Sequence, residues 1–147
     1  MVVLLILLIF LNFSLAKVYY AKWEDAVSPI MAEYIKRSLA KAEKEEAGVF
    51  ILELNTPGGL ETSMRQVVQE FQRTPIPVVV YVYPPGGRAA SAGAIITASA
   101  DIAVMAPGTN IGAAHPVQAT GERMEEAMKE KVVQDMLAFD YLLPSSA

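Results

Sequence analysis

The sequence predicts an α/β domain built on a mostly parallel sheet. Three observations carry that expectation. Short β-rich runs alternate with stretches whose apolar residues return at helical spacing, the pattern of βαβ crossovers. The run Pro77 to Tyr83 (Pro-Val-Val-Val-Tyr-Val-Tyr) is continuously apolar, as expected of a strand covered on both faces. Gly- and Pro-containing turns separate the elements, with no repeat and no low-complexity linker, so the 147 residues read as one domain able to bury a core.

The elements follow in order. Lys17 to Trp23 is a first strand. Ser28-Pro29 combines an N-cap residue with proline at the first helical position. Met31, Tyr34, Ile35, Leu39 and Ala42 then form one apolar face, and Gly48 is the expected helix stop. Val49 to Leu54 is a β-rich run that ends in the turn Asn55–Gly59. Met64, Val67, Val68 and Phe71 sit at i, i+3, i+4 and i+7, an amphipathic helix. Pro84-Pro85-Gly86-Gly87 breaks the apolar strand. Ser91 to Ala100 is rich in Ala and Ile and suits a buried helix. Ile102 to Met105 is a further short strand, stopped by Pro107-Gly108. From Gly121 a charged helix is expected, its apolar residues returning at Val132, Val133, Met136 and Leu137.

Composition narrows the chemistry. A formal net charge of −4 gives no electrostatic case for nucleic-acid binding. The absence of cysteine excludes a disulfide frame, a thiolate nucleophile and Cys-based metal sites. The single histidine, His115, excludes a site needing several His ligands, and no metal or cofactor is expected. Residues Val2 to Ala16 carry no charge and are mostly Leu, Ile, Val and Phe. That run falls short of the ~20 apolar residues that span a bilayer. Ser14-Leu15-Ala16 places small residues at −3 and −1 of a cleavage point, although no Lys or Arg precedes the apolar run. Residues 1–16 are therefore expected to be a secretory signal peptide or an N-terminal anchor, and residues 17–147 an exported domain on the extracytoplasmic side of the membrane.

The stretch Arg88-Ala89-Ala90-Ser91-Ala92-Gly93-Ala94 sets a serine among residues too small to shield it. If a helix starts at Ser91, its hydroxyl lies at the positive end of the helix dipole and the Ala92 N–H is an orphan donor. Thr56-Pro57-Gly58-Gly59 follows a strand directly and offers a second bare donor. In a parallel sheet both turns lie at the carboxyl ends of strands, the usual position of a ligand crevice. Two N–H groups could thus reach one carbonyl oxygen, as an oxyanion hole requires. Taken alone, Ser-Ala-Gly-Ala equally fits a helix that is small only to pack tightly. A hydroxyl at its free pKa also needs a base. His115 and Lys131 are the two candidates, and composition does not choose between them. His115 equally fits a loop residue lining a cleft. Lys131 equally fits one more solvated charge in the run Glu122 to Lys131.

Four segments taken together decide more than any one. They are Leu52-Glu53-Leu54-Asn55-Thr56-Pro57-Gly58-Gly59, Pro77 to Gly86, Ala89-Ala90-Ser91-Ala92-Gly93, and Met105 to Pro116. In this order and spacing the chain resembles the N-terminal domain of the NfeD family, membrane-bound serine proteases encoded beside stomatin-like proteins, from about Val18 to Phe139. The resemblance implies a ClpP/crotonase-like fold, a spiral of ββα units, and a Ser–Lys dyad. Its positions make Ser91 the nucleophile and Lys131 the general base, opening the helix Lys131-Val132-Val133-Gln134-Asp135. The oxyanion donors would be the N–H groups of Gly59 and Ala92, with Gly58 and Gly87 against the substrate. His115 matches a common family residue that is not the base.

The substrate implied is an apolar peptide segment of a stomatin-like membrane protein, cleaved through an acyl-enzyme, and the full-length protein would be a homodimer. Two departures stand out. The usual Asp before Thr-Pro-Gly-Gly is Asn55, and after Phe139 the chain leaves the family pattern with Asp140-Tyr141-Leu142-Leu143-Pro144. The domain is accordingly expected to be incomplete at its C-terminus. Two other classes fit part of the pattern. One is a non-catalytic module that grips apolar tails of a stomatin-like partner. The other is a crotonase-type acyl-CoA enzyme, which would need neither Ser91 nor Lys131.

Overall fold

The computed structural model describes residues 17–112. In chain order they form β1 (Lys17–Glu24), α1 (Pro29–Lys44), β2 (Ala47–Asn55), α2 (Glu61–Arg73), β3 (Val78–Val82), β4 (Arg88–Ala90), α3 (Ala92–Ala98), β5 (Ile102–Met105) and β6 (Asn110–Gly112). β1, β2, β3 and β5 lie side by side in that order, and every pairing is parallel. α1 connects β1 to β2 and α2 connects β2 to β3, the crossovers that parallel neighbours require. The short strands β4 and β6 pair with each other, also in parallel, as a second sheet.

α1 starts where its sequence demands. Ser28 Oγ accepts the Met31 N–H at 3.3 Å, and Pro29 occupies the first turn without wasting a donor. Met31, Ile35, Leu39 and Ala42 are buried along one stripe, as are Met64, Val67, Val68 and Phe71 of α2. These stripes meet one face of the sheet, where Phe50, Leu52, Leu54, Val78, Val80 and Val82 have no exposed surface. At about 25 cal/mol per Å2 of apolar area, this single cluster is the main source of stability for the described residues.

Two expectations need correcting. Gly48 does not stop α1. The helix ends at Lys44, and Glu46 takes the left-handed conformation with φ 56°, its N–H bonded to Glu43 O at 3.0 Å. Gly48 is already the second residue of β2, because pairing with β1 begins at Ala47. β3, expected to be covered on both faces, alternates instead. Val78, Val80 and Val82 are buried, whereas Val79 and Tyr81 are half-buried. Both long helices pack on the same side of the sheet. On its other side, among the described residues, Val18, Tyr20, Ile102 and Val104 are exposed.

Candidate functional site

The site is assembled where β2 ends and β4 passes into α3. β4 is held beside the end of β2 by a two-bond bridge, Thr56 N–H to Arg88 O at 2.7 Å and Ala90 N–H to Thr56 O at 3.1 Å. On its other side β6 pairs Arg88 with Asn110 and Ala90 with Gly112. The Ser91 N–H then donates to Gly112 O at 2.9 Å. The residue before α3 is therefore fixed from two directions before the helix begins.

Ser91 itself has φ 52° and ψ −119°. A serine at positive φ is strained by roughly 1–3 kcal/mol and persists only where its surroundings impose it. Strand, sharp turn and helix in this sequence form the geometry that lifts a nucleophile hydroxyl clear of the backbone. The side chain makes no capping bond to its own helix, so the hydroxyl is not spent on α3. As first residue of α3, Ala92 offers an N–H with no acceptor inside the helix.

The Gly58-Gly59 turn lies directly against this serine. A Cβ at Gly58, whose φ is +102°, would come within 2.6 Å of Ser91 Cβ and 2.9 Å of Ala90 O. A Cβ at Gly59 would overlap the Val27 carbonyl and lie 2.6 Å from Val27 N. The turn is pinned there by Val27 N–H to Gly58 O at 2.8 Å and by Leu60 N–H to Val27 O at 2.9 Å. The Gly58 N–H is taken by Thr56 Oγ1 at 3.2 Å. Among the described residues nothing accepts from Gly59 N–H, so of the two glycines it is Gly59 whose donor is left bare.

Beside this turn opens a cleft of about 610 Å3, lined by Glu24, Asp25, Asn55, Pro57, Gly87 and Arg88 among others. Gly87 is among the residues lining this cleft, whose wall is polar and charged along much of its length. Asn55 knits its wall together. Its Oδ1 accepts the Arg88 N–H at 3.1 Å, while its Nδ2 donates to Glu24 Oε1 at 3.3 Å. An aspartate could do the first and not the second, which gives the Asn at this position a physical reason.

Lys22 bridges Glu24 at 3.2 Å and Glu53 at 3.1 Å. Its hydrogen bonds to Glu53 and Glu24 push its own pKa up, and the same ammonium, followed by Asn55, holds the Glu24 carboxyl below its ordinary value. The Tyr20 hydroxyl donates to Glu53 Oε2, and that bond, with some burial, pushes Tyr20 up to about 12. This row of polar side chains was not anticipated. The signal was present: a carboxylate between Leu52 and Leu54 must face away from the core and find partners.

His115 and Lys131, the two candidate bases, lie outside the described residues, as do residues 1–16 and the helix expected from Gly121. Among the described residues no helix is long and apolar enough to cross a membrane.

Comparisons with known proteins give the family and the fold. The model of the NfeD1b N-terminal domain matches residues 17–138. The chain is 43% identical over 116 residues to the membrane-bound protease PH1510 of Pyrococcus horikoshii, and 36% identical over 119 residues to the membrane protein NfeD1b of Bacillus subtilis. These alignments cover 77% and 81% of this chain, and 26% of each relative. The chain thus spans about a quarter of the length of the curated relatives it matches.

Among solved structures, a serine-to-alanine mutant of the 1510-N membrane-bound stomatin-specific protease superposes with a TM-score of 0.78 at 35% identity, covering 86% of this chain and 62% of that one. A lysine-to-alanine mutant of that protease, in complex with a substrate peptide, gives 0.75 at 35% identity, covering 81% and 57%. ClpP1 from Listeria monocytogenes, at 18% identity and a TM-score of 0.66 over 83% of this chain and 71% of its own, shows the same fold. The fold is ClpP-like, and over residues 17–138 the chain belongs to the NfeD1b family through its N-terminal domain.

Proposed function

We propose that this chain is the proteolytic domain of an exported, membrane-associated serine endopeptidase that cleaves an apolar segment of a stomatin-like partner. Ser91 Oγ attacks the scissile carbonyl carbon while Lys131, neutral in the assembled site, takes the hydroxyl proton. The oxyanion accepts hydrogen bonds from the Gly59 and Ala92 N–H groups. Lys131 returns its proton to the leaving amine as the C–N bond breaks, leaving an ester on Ser91. A water molecule deprotonated by Lys131 then attacks that ester; the bond to Ser91 Oγ breaks, Oγ takes the proton back from Lys131, and the peptide leaves as a carboxylic acid that ionises in solvent. Gly58 and Gly87 lie along the path of the substrate backbone, and two copies of the full-length protein form a homodimer.

The observation that carries this reading is Ser91 held at φ 52° against the Gly58-Gly59 turn. A module that only grips apolar tails gains nothing from a strained serine, and neither does an acyl-CoA enzyme that relies on backbone donors alone. The relatives lend support: one is named a membrane-bound protease, and a solved neighbour is a stomatin-specific protease with a substrate peptide bound. The test is cleavage of a peptide with a run of Leu, Val and Ile by wild type, Ser91→Ala and Lys131→Ala. Each variant is expected to lose several orders of magnitude in rate, because dyad members act as a unit. Undiminished cleavage by either variant rules the dyad out.

A further inference from the structure

Thr56 has no exposed surface and reaches every part of the candidate site that was assembled above. Its backbone forms the two-bond bridge to β4, the strand that delivers Ser91. Its methyl group faces α3 so closely that any Cβ at Gly93 would overlap Thr56 Cγ2. Its hydroxyl oxygen accepts the Gly58 N–H at 3.2 Å. One side chain therefore touches the helix after the serine and the turn opposite it.

The polar groups of that turn can be accounted for in sequence. Gly58 N–H donates to Thr56 Oγ1, Gly58 O accepts from Val27 N–H and, at 3.4 Å, from the Thr56 hydroxyl, and Leu60 N–H donates to Val27 O. Only the Gly59 N–H has no acceptor among the described residues. The peptide plane that carries this N–H joins Gly58 to Gly59, and glycine dihedrals alone do not hold such a plane. The bonds that Gly58 O accepts from Val27 N–H and the Thr56 hydroxyl hold it, and the Gly58 N–H bond to Thr56 Oγ1 fixes the other side of the glycine.

We propose that Thr56 is the positioning residue of the oxyanion hole. Its hydroxyl accepts the Gly58 N–H and donates to Gly58 O, and so orients the Gly58–Gly59 peptide with its N–H pointing at the carbonyl oxygen of a substrate attacked by Ser91. The proposal rests on the protease reading above. Thr56 touches neither substrate nor reacting atoms, so its removal acts on turnover through the aim of Gly59.

Two variants of the full chain separate this role from simple packing. Thr56→Val keeps the shape and the methyl over Gly93 but leaves the buried Gly58 N–H without its acceptor and Gly58 O without its hydroxyl donor. Thr56→Ser keeps the acceptor and drops the methyl. Losing an oxyanion donor lowers kcat by about 100- to 1000-fold, and a misplacement of about 1 Å costs on the order of 100-fold. Thr56→Val is expected to lower kcat by about 10- to 100-fold, with KM within about threefold of wild type. Thr56→Ser is expected to hold kcat within about threefold even if it melts earlier. Amide hydrogen exchange gives a second readout: Gly58 N–H should lose protection in the Val variant and keep it in the Ser variant.

Wild-type turnover in Thr56→Val, or an equal fall of kcat in both variants, overturns the proposal while leaving the protease reading in place. If Thr56→Val does not fold, Thr56→Ser decides, and a fall in kcat of about tenfold or more overturns the role. A wild-type chain that neither cleaves peptide nor reacts at Ser91 with a fluorophosphonate removes the protease reading, and with it any catalytic role for Thr56.

Discussion

Gly58 and Ser91, 33 positions apart in the chain, are in contact: a Cβ on the glycine would lie 2.6 Å from the serine Cβ and 3.3 Å from its Oγ. The closeness brings a strand-end turn with one bare N–H, that of Gly59, to a serine with a strained backbone. Gly58→Ala should be damaging on two counts, since φ is +102° and the added methyl meets Ala90 O at 2.9 Å. The expected loss is about 2–4 kcal/mol of stability, with peptide cleavage reduced about 100-fold or more in what still folds. Thermal unfolding and cleavage rate measured on the same preparation check both.

Ser91 is predicted to be a site where function is held at the expense of stability. Its φ of 52° favours glycine, so Ser91→Gly should remove roughly 1–3 kcal/mol of strain and give back about 0.5–1 kcal/mol as chain entropy. The net gain of about 1 kcal/mol corresponds to a melting temperature higher by about 2–4 °C, in a protein that no longer cleaves. A lower melting temperature contradicts the strain.

Among the described residues, Glu46 is the second non-glycine at positive φ, at the end of α1. It is exposed and far from the site, so nothing functional holds it there. Left-handed backbone costs an L residue about 1–2 kcal/mol, and Glu46→Gly should raise stability by about 0.5–1 kcal/mol without changing cleavage. Chemical denaturation with an unchanged m-value is the check.

Much of the architecture was legible because long elements repeat their signal. The spacing of Met64, Val67, Val68 and Phe71 left α2 no other face to bury, and Ser28-Pro29 specified where α1 begins. β4 and β6 were not legible. Arg88-Ala89-Ala90 and Asn110-Ile111-Gly112 are too short for a period of two to show, and their pairing comes from distant bonds such as Thr56 N–H to Arg88 O. The same holds within the site. The small residues around Ser91 and the two glycines are a local signal, whereas the contacts of Thr56 exist only once β2, β4 and α3 have come together. Glu46 shows the limit from the other side, since glycine two residues later offered a better local stop than the one the fold uses.

The Tyr20–Glu53 bond predicts a specific alkaline behaviour. Tyr20 rises from 10.0 to about 12 because ionising it gives up the hydrogen bond donated to Glu53, with some burial and the nearby Glu53 charge adding to the shift. The folded value lies above the unfolded one, so the contribution to stability is complete below pH 10.0 and is lost as pH rises through about 12. The contribution is small, as the ring is half exposed. Tyrosinate absorbance of wild type minus Tyr20→Phe should titrate near 12, and Glu53→Gln should bring that midpoint back toward 10.0. A wild-type midpoint near 10.0 contradicts the bond.

The most direct measurement of the central claim is active-site labelling of the full chain with a fluorophosphonate, followed by mass mapping of the adduct. The account predicts one phosphonylated residue, Ser91, with labelling abolished in Ser91→Ala and slowed about 100-fold or more in Lys131→Ala. Labelling that persists in Ser91→Ala, or a wild-type protein that stays unlabelled while properly folded, would contradict it.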